Sequence, residues 1–482
     1  MTPRTVAATF APWLYVQSGG VLLGLAFTLS WGAPLAWPAL WLILRGLEGR
    51  TAWERAGDGS LAGVWWGLIA VGSWLDEAIR FQGGVSVPVS LGITFAIILV
   101  YGGAYVALFT TLYGWLPRPR WLSGPAVWVL LEYLRTQACG APWALLGHSQ
   151  HGWLRLAQLA ELGGVAALSF LIVLVAAAFS DGGRERRRGG VVAVVAVVGT
   201  LLFGTLRMAA WSEVASDGAR VQLVSGGHHS GDRLTTYVTA SQALPPADLT
   251  VWPANALGEY LQDDVAAYAA LAATSRRVGP LLVGGPRYED RDEDRRYYDS
   301  AFLIGSPRGQ HGTYDKRLLV PFAERAPVPA HGTRARPFSA GAPHQPPLEV
   351  EALRVGVLVG WEGVFAGPAR DYARAGAHVF VDLTSDEGLG RGSAQQLAFS
   401  AFRAIETRRW LLRASGTGVS TAVDPLGRVH RVDRVRVPAA PPPETLYVRH
   451  GEVLLPSCGL LLAVQCTLAW VRTKRRTRAP TS

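Results

Sequence analysis

Cysteine is nearly missing from this 482-residue chain, which has only Cys139, Cys458 and Cys466. Residues 140–457 therefore lack any thiol, which excludes a disulfide framework, a cysteine-based metal site and a cysteine nucleophile there. Lysine is almost as scarce. Of 46 basic residues only Lys316 and Lys474 are lysine, and Asn255 is the one asparagine. Charge is low as well, at 17% of residues against 49% hydrophobic, with a mean hydropathy of +0.20. Such a balance excludes both an ordinary soluble protein and a charge-rich disordered one, and the length suits two domains.

What is present in quantity is apolar sequence, and it is concentrated. Eight stretches have near membrane-spanning character, at 11–30, 34–46, 61–79, 89–115, 121–137, 160–180, 190–210 and 454–471. The first lacks a small-residue cleavage site between Trp13 and Trp31, so it is expected to remain as an anchor. With the N-terminus placed inside, the short inner loops carry 15 Arg and Lys residues and the outer ones three, Arg80, Arg135 and Arg155. By the positive-inside rule both termini face the cytoplasm. The expected plan is a membrane domain at 1–211 with seven spans, an extracytoplasmic domain at 212–450, and a last span with a basic tail at 451–482. The +10 net charge is then mostly a topology signal of membrane-flanking arginine, and no nucleic-acid partner is expected.

Within 212–450, short apolar runs alternate with helical patterns. RVQLVS (220–225), LTVW (249–252), LLVGG (281–285), SAFLIG (300–305), LRVGVLVG (353–360) and HVFVDLT (378–384) read as strands. Residues 263–278 and 394–415 read as helices, giving a layered α/β domain. Three strand ends carry polar or Gly/Pro-rich loops: Trp252–Ala256, Tyr314–Glu324 and Gly360–Glu362. Taken singly, each has an ordinary explanation as a proline turn, a solvated charge or a packing glycine. Lys316 stands out, because a chain that writes Arg almost everywhere has kept one compact ammonium in this domain, suited to a developing oxyanion in a tight pocket. Asn255 lies in another of the three loops.

These blocks resemble the apolipoprotein N-acyltransferase family, membrane enzymes with a carbon–nitrogen hydrolase (nitrilase-type) domain facing the periplasm. The likeness lies in PAVWVLLEYLRT (125–136), PWALLGHSQ (142–150) and LAQLAELGGVAALSFLIVLV (156–175) in the membrane half. In the outer half it lies in VWPANA, YYDSAFLIG (297–305), YDKRLLVPFAE, FRAIETRRWLLRAS (402–415) and DPLGRV (424–429). The resemblance implies a polytopic α-helical membrane domain of about eight spans plus an α-β-β-α sandwich, in the cell inner membrane, with no cofactor and no metal. It implies two partners, a phospholipid acyl donor and a lipoprotein with an N-terminal diacylglyceryl-cysteine. In that family a Glu base, a Lys and a Cys nucleophile pass the acyl chain through a thioester. Lys316 matches the lysine, Glu324 the glutamate eight positions on, and Glu362 the glutamate after the nucleophile, with Trp361 where the family has Tyr. The base position, however, reads Ala254 and the nucleophile position Gly360. The family's N-D-A-W-F-G loop reads Ser385–Gly390.

No neighbouring thiol substitutes. Asn255 cannot accept a proton at neutral pH, and Ser385 lacks an evident base. The expectation is a family member impaired in acyl transfer, with a pseudoenzyme that binds lipid or lipoprotein as the alternative. A transporter is discounted because Asp76, Glu77, Glu132, Arg135 and Glu161 fall mostly near span ends and form no ion relay. A membrane-tethered amidase would need the same missing Cys.

Overall fold

The computed structural model describes residues 3–211, 218–225, 232–291, 294–305, 312–321, 323–325, 337–418 and 420–478. The chain divides into two compact units. One comprises 1–76, 87–208 and 450–482, and the other 77–86 and 209–449.

The first unit is helical, and helices occupy all eight apolar stretches. Among the described residues, four of them are long and apolar enough to cross a membrane: Val87–Trp115, Ala160–Ser180, Gly183–Ala209 and Leu454–Lys474. The outward-facing residues of the last two are largely apolar, with Val191, Val195, Leu202, Leu460 and Trp470 all more than half exposed. Such a surface suits lipid rather than water.

The second unit is built on two six-stranded sheets. Its strands are β1 (Ala219–Leu223), β2 (Leu249–Val251), β3 (Leu281–Arg291), β4 (Asp294–Ile304), β5 (Gly312–Asp315), β6 (Leu348–Val350), β7 (Leu353–Val359), β8 (Val379–Thr384), β9 (Trp410–Ser415), β10 (Thr421–Val423), β11 (Val429–His430) and β12 (Arg434–Val437). One sheet has the order β12-β1-β2-β3-β4-β5 and the other β11-β10-β9-β8-β7-β6. Three neighbouring strands are parallel in each, β1-β2-β3 and β7-β8-β9, with antiparallel strands on both flanks. Val221, Val251, Leu282 and Leu303 of the first sheet share one core with Val355, Val357, Val381 and Leu412 of the second. On the far side of the first sheet, the helices Arg233–Gln242 and Val265–Val278 bury Tyr237, Leu271 and Val278 against Trp252, Val283 and Phe302. The helices Ala366–Arg374 and Arg391–Thr407 accompany the second sheet. This is the expected α-β-β-α layering.

All six expected strands form, with boundaries shifted by a few residues. The reading of 394–415 as one helix is corrected. The helix ends at Thr407, Arg408 turns left-handed at φ +56°, and Trp410–Ser415 becomes strand β9. WLLRAS pairs with β8 from Val379↔Trp410 to Thr384↔Ser415, so sheet pairing overrides the helical pattern that precedes it.

Candidate active site

Strand β7 is buried along nearly its whole length, so its sequence is continuously apolar rather than alternating. It ends at Gly360, whose φ of +62° is left-handed and favours glycine. A Cβ placed there would stand 2.9 Å from Lys316 Nζ. The strand end at Gly360 therefore points at the ammonium.

Lys316 follows β5 and is 2% exposed. Its Nζ donates to Glu324 Oε1 at 2.6 Å and lies 3.5 Å from Asp299 Oδ2. Glu324 Oε2 also accepts from the Val320 N–H at 2.8 Å, closing the 316–324 loop on itself. Burial alone would lower the Lys316 pKa, but the two carboxylates outweigh it and hold the ammonium above its ordinary value. Glu324 already balances that charge, which leaves Asp299 as a surplus carboxylate. Burial pushes Asp299 up to about 6, against the pull of Lys316.

Glu362 sits two residues past Gly360, fully buried, and each of its oxygens takes two hydrogen bonds. Oε1 accepts from the N–H groups of Arg317 (2.8 Å) and Leu318 (3.0 Å), and Oε2 from Val359 N–H (2.9 Å) and Tyr314 O–H (2.8 Å). Burial raises its pKa, and these donors and Lys316 oppose the rise. With its oxygens so occupied, Glu362 ties the lysine loop to the end of β7. Trp361 Nε1 adds a bond to Leu318 O at 2.6 Å, and Gln396 Nε2 donates to Gly360 O at 2.6 Å. Phe322, in the same sequence block, lies outside the described residues.

The structure thus gathers Lys316, Glu324, Glu362 and Gly360. Ala254, just past β2, is buried against β3, where a Cβ on Gly284 would come within 2.7 Å of the Ala254 Cα. Asn255 takes φ +57° with its side chain exposed, and its carbonyl accepts from Arg233 Nη1 at 3.1 Å. A left-handed turn accounts for asparagine at that point. Asp299 is the residue that sequence reasoning passed over. The signal was its phase. On β4 it alternates with Ala301 and Leu303, both of the inter-sheet core, so a carboxylate occupies an inward-facing position. Among the described residues no group of three or more His, Cys, Asp or Glu side chains is placed to hold a metal ion.

Comparison with known proteins agrees with this architecture. Residues 19–178 match the apolipoprotein N-acyltransferase N-terminal domain and residues 209–433 the carbon–nitrogen hydrolase domain. An apolipoprotein N-acyltransferase of Geobacter metallireducens is 30% identical, covering 95% of this chain and 95% of that protein. Those of Pseudomonas putida and Chromobacterium violaceum are also 30% identical, covering 82% and 92% of this chain and 83% and 91% of theirs. Two domain matches that together take in most of the chain, and relatives similar over nearly their whole length, place it: the chain belongs to the apolipoprotein N-acyltransferase family.

Proposed function

We propose that this protein receives a phospholipid and the N-terminal diacylglyceryl-cysteine of a lipoprotein, and transfers an acyl chain to the amino group slowly, without a thioester intermediate. The observation that carries the reading is the pairing of Lys316 with Gly360. A buried, permanently charged ammonium faces a strand end that bears no nucleophilic atom. The ammonium suits an acyl oxyanion, while the bare Gly360 removes covalent catalysis. Loss of a nucleophile commonly costs on the order of 10⁶ in rate, and oxyanion stabilisation with binding retains about 10³–10⁴ over water. Direct aminolysis by the lipoprotein amine fits that range.

The proposed setting is the cell inner membrane, with about eight spans, domains at 1–211, 212–450 and 451–482, and the 212–450 domain on the periplasmic side. The 15-to-3 distribution of basic residues supports this orientation. In the proposed site Lys316 carries the oxyanion, Glu324 balances and aims it, Glu362 fixes the two loops, and Gly360 and Ala254 are the emptied nucleophile and base positions.

The test uses full-length protein with labelled phospholipid and a diacylglyceryl lipopeptide. Slow label transfer to the amine, no hydroxylamine-labile label on the protein, and loss of transfer in Lys316→Ala are expected. A stoichiometric hydroxylamine-labile adduct refutes the direct route. Saturable lipopeptide binding with no transfer above buffer favours the binding-only pseudoenzyme.

A further inference from the structure

We propose that Asp299 supplies the proton-accepting carboxylate that the loop at Ala254 does not carry. The inference rests on the acyl-transfer reading above and names the residue that takes the proton. Its first support is position. In the β3–β4 pairing Gly284 faces Ala301 and Pro286 faces Asp299. Side chains two apart on a strand share a face, so Asp299 projects from the same side of the sheet as Ala301. That is the side on which a Gly284 Cβ would run into Ala254. A carboxylate on β4 thus shares the face of the sheet on which Ala254 packs, two residues along the strand from that contact.

The second support is availability. Three carboxylates surround Lys316, and two are committed. Glu324 is shared between Nζ and the Val320 N–H, and Glu362 has four donors. Among the described residues, the Asp299 carboxylate has Lys316 as its one ionic partner, at 3.5 Å. Its raised pKa of about 6 lets it accept a proton near neutrality and release it again, as a general base must.

The step balances without any further reagent. The amine nitrogen attacks the phospholipid ester carbonyl and the C–N bond forms. The amine proton passes to Asp299 while Lys316 faces the oxyanion. The C–O bond then breaks, and Asp299 returns the proton to the departing glycerol oxygen.

The decisive measurement is a rescue. Full-length Gly360→Cys protein is mixed with p-nitrophenyl ester, and the first-turnover release of p-nitrophenol is timed in four backgrounds, with Asp299 or Asp299→Asn, each with Ala254 or Ala254→Glu. Asp299→Asn is expected to slow the burst at least about 100-fold where residue 254 is alanine. Ala254→Glu is expected to restore it to within a few-fold. Equal losses in both backgrounds, or no loss, overturn the proposal by making Asp299 structural or idle. No transfer of label to the lipopeptide by the chain with Gly360 in place refutes the acyl-transfer reading and this inference together.

Because cysteine at a positive φ is strained, a second readout uses the chain without it. The kcat for lipopeptide acylation at saturating substrate should fall below pH 6 with Asp299 present. Asp299→Asn should lower the plateau and remove that limb. Measurable transfer with an unchanged pH profile in Asp299→Asn overturns the proposal while leaving the transfer reading intact.

Discussion

The two sides of the Lys316 cleft are furnished very differently. On the lysine side, Lys316, Glu324 and Glu362 are buried or partly buried and bonded to backbone at several points. On the other side, Ala254 and Gly360 offer a methyl group and a hydrogen. Gly360 and Glu362 share the end of β7, so the contrast there does not come from a damaged fold. On the proposed reading, the difference separates what would position an acyl group from what would attack it.

A related contrast lies between two buried carboxylates, one in the turn just past β7 and one on the adjacent strand β8. Glu362 has four donors. Asp382, on β8 and equally buried, has no hydrogen bond to either oxygen among the described residues and only Arg413 Nε at 3.9 Å. The largest expected effect breaks the well-bonded one. Glu362→Gln places an NH₂ where a pair of donors now meets an oxygen, leaving buried N–H or O–H groups unpaired. We expect a loss on the order of 3–4 kcal/mol in unfolding free energy of the 212–450 domain, read by denaturant titration of the full chain. A loss below about 1 kcal/mol would show that Trp361 and Gln396 hold the loops without it.

Asp382 sharpens the contrast through pH. Burial pushes its carboxyl up to about 7, with Arg413 pulling the other way. The folded state therefore holds this proton more tightly than the unfolded chain, whose value is near 4. Stability linked to Asp382 is present below pH 4 and lost as pH rises from about 4 to about 7. At pH 8, Asp382→Asn should be more stable than the parent by on the order of 3 kcal/mol, with the gap closing toward pH 4. A gap independent of pH would mean that Arg413 keeps Asp382 ionised throughout.

How much of this was legible depends on burial and element length. Strand β7 could be read because both its faces are covered, which forces an unbroken apolar run into a turn glycine. The short strands β5, β10, β11 and β12, two to four residues each, carry too few positions for a period to emerge. Residues 408–415 were misread because Arg408, Arg409 and Arg413 look like a solvated helix face but are buried. Arg409 donates to the carbonyls of Ala377, Thr407 and Ala373, contacts that no local pattern announces. Lys316 was visible through composition alone. Asp299 was not, since its importance comes from the lysine it meets across the β4–β5 hairpin.

Gly360 gives a smaller effect that probes the bare strand end directly. Gly360→Ala must accept φ +62° and press on Lys316 Nζ, which is the free end of a flexible chain and can yield. The backbone term should dominate, at about 1–2 kcal/mol of destabilisation. An equal loss in the Lys316→Met background would confirm that strain rather than contact sets it. A loss that vanishes there would assign it to the ammonium instead.

The smallest effect separates a turn from a chemical role at Asn255. Its φ of +57° places it in the left-handed region, its side chain is exposed, and only its backbone carbonyl has a described partner, Arg233. Asparagine tolerates that conformation better than residues with an ordinary Cβ, and glycine better still. Asn255→Ala should therefore cost about 1 kcal/mol, and Asn255→Gly no more than a few tenths. Neither should change the rate of acyl transfer, because the side chain faces solvent and not Lys316. If Asn255→Gly keeps stability but lowers transfer tenfold, the amide group has a part in the chemistry. The 254–256 loop would then belong with the furnished side of the cleft and not the empty one.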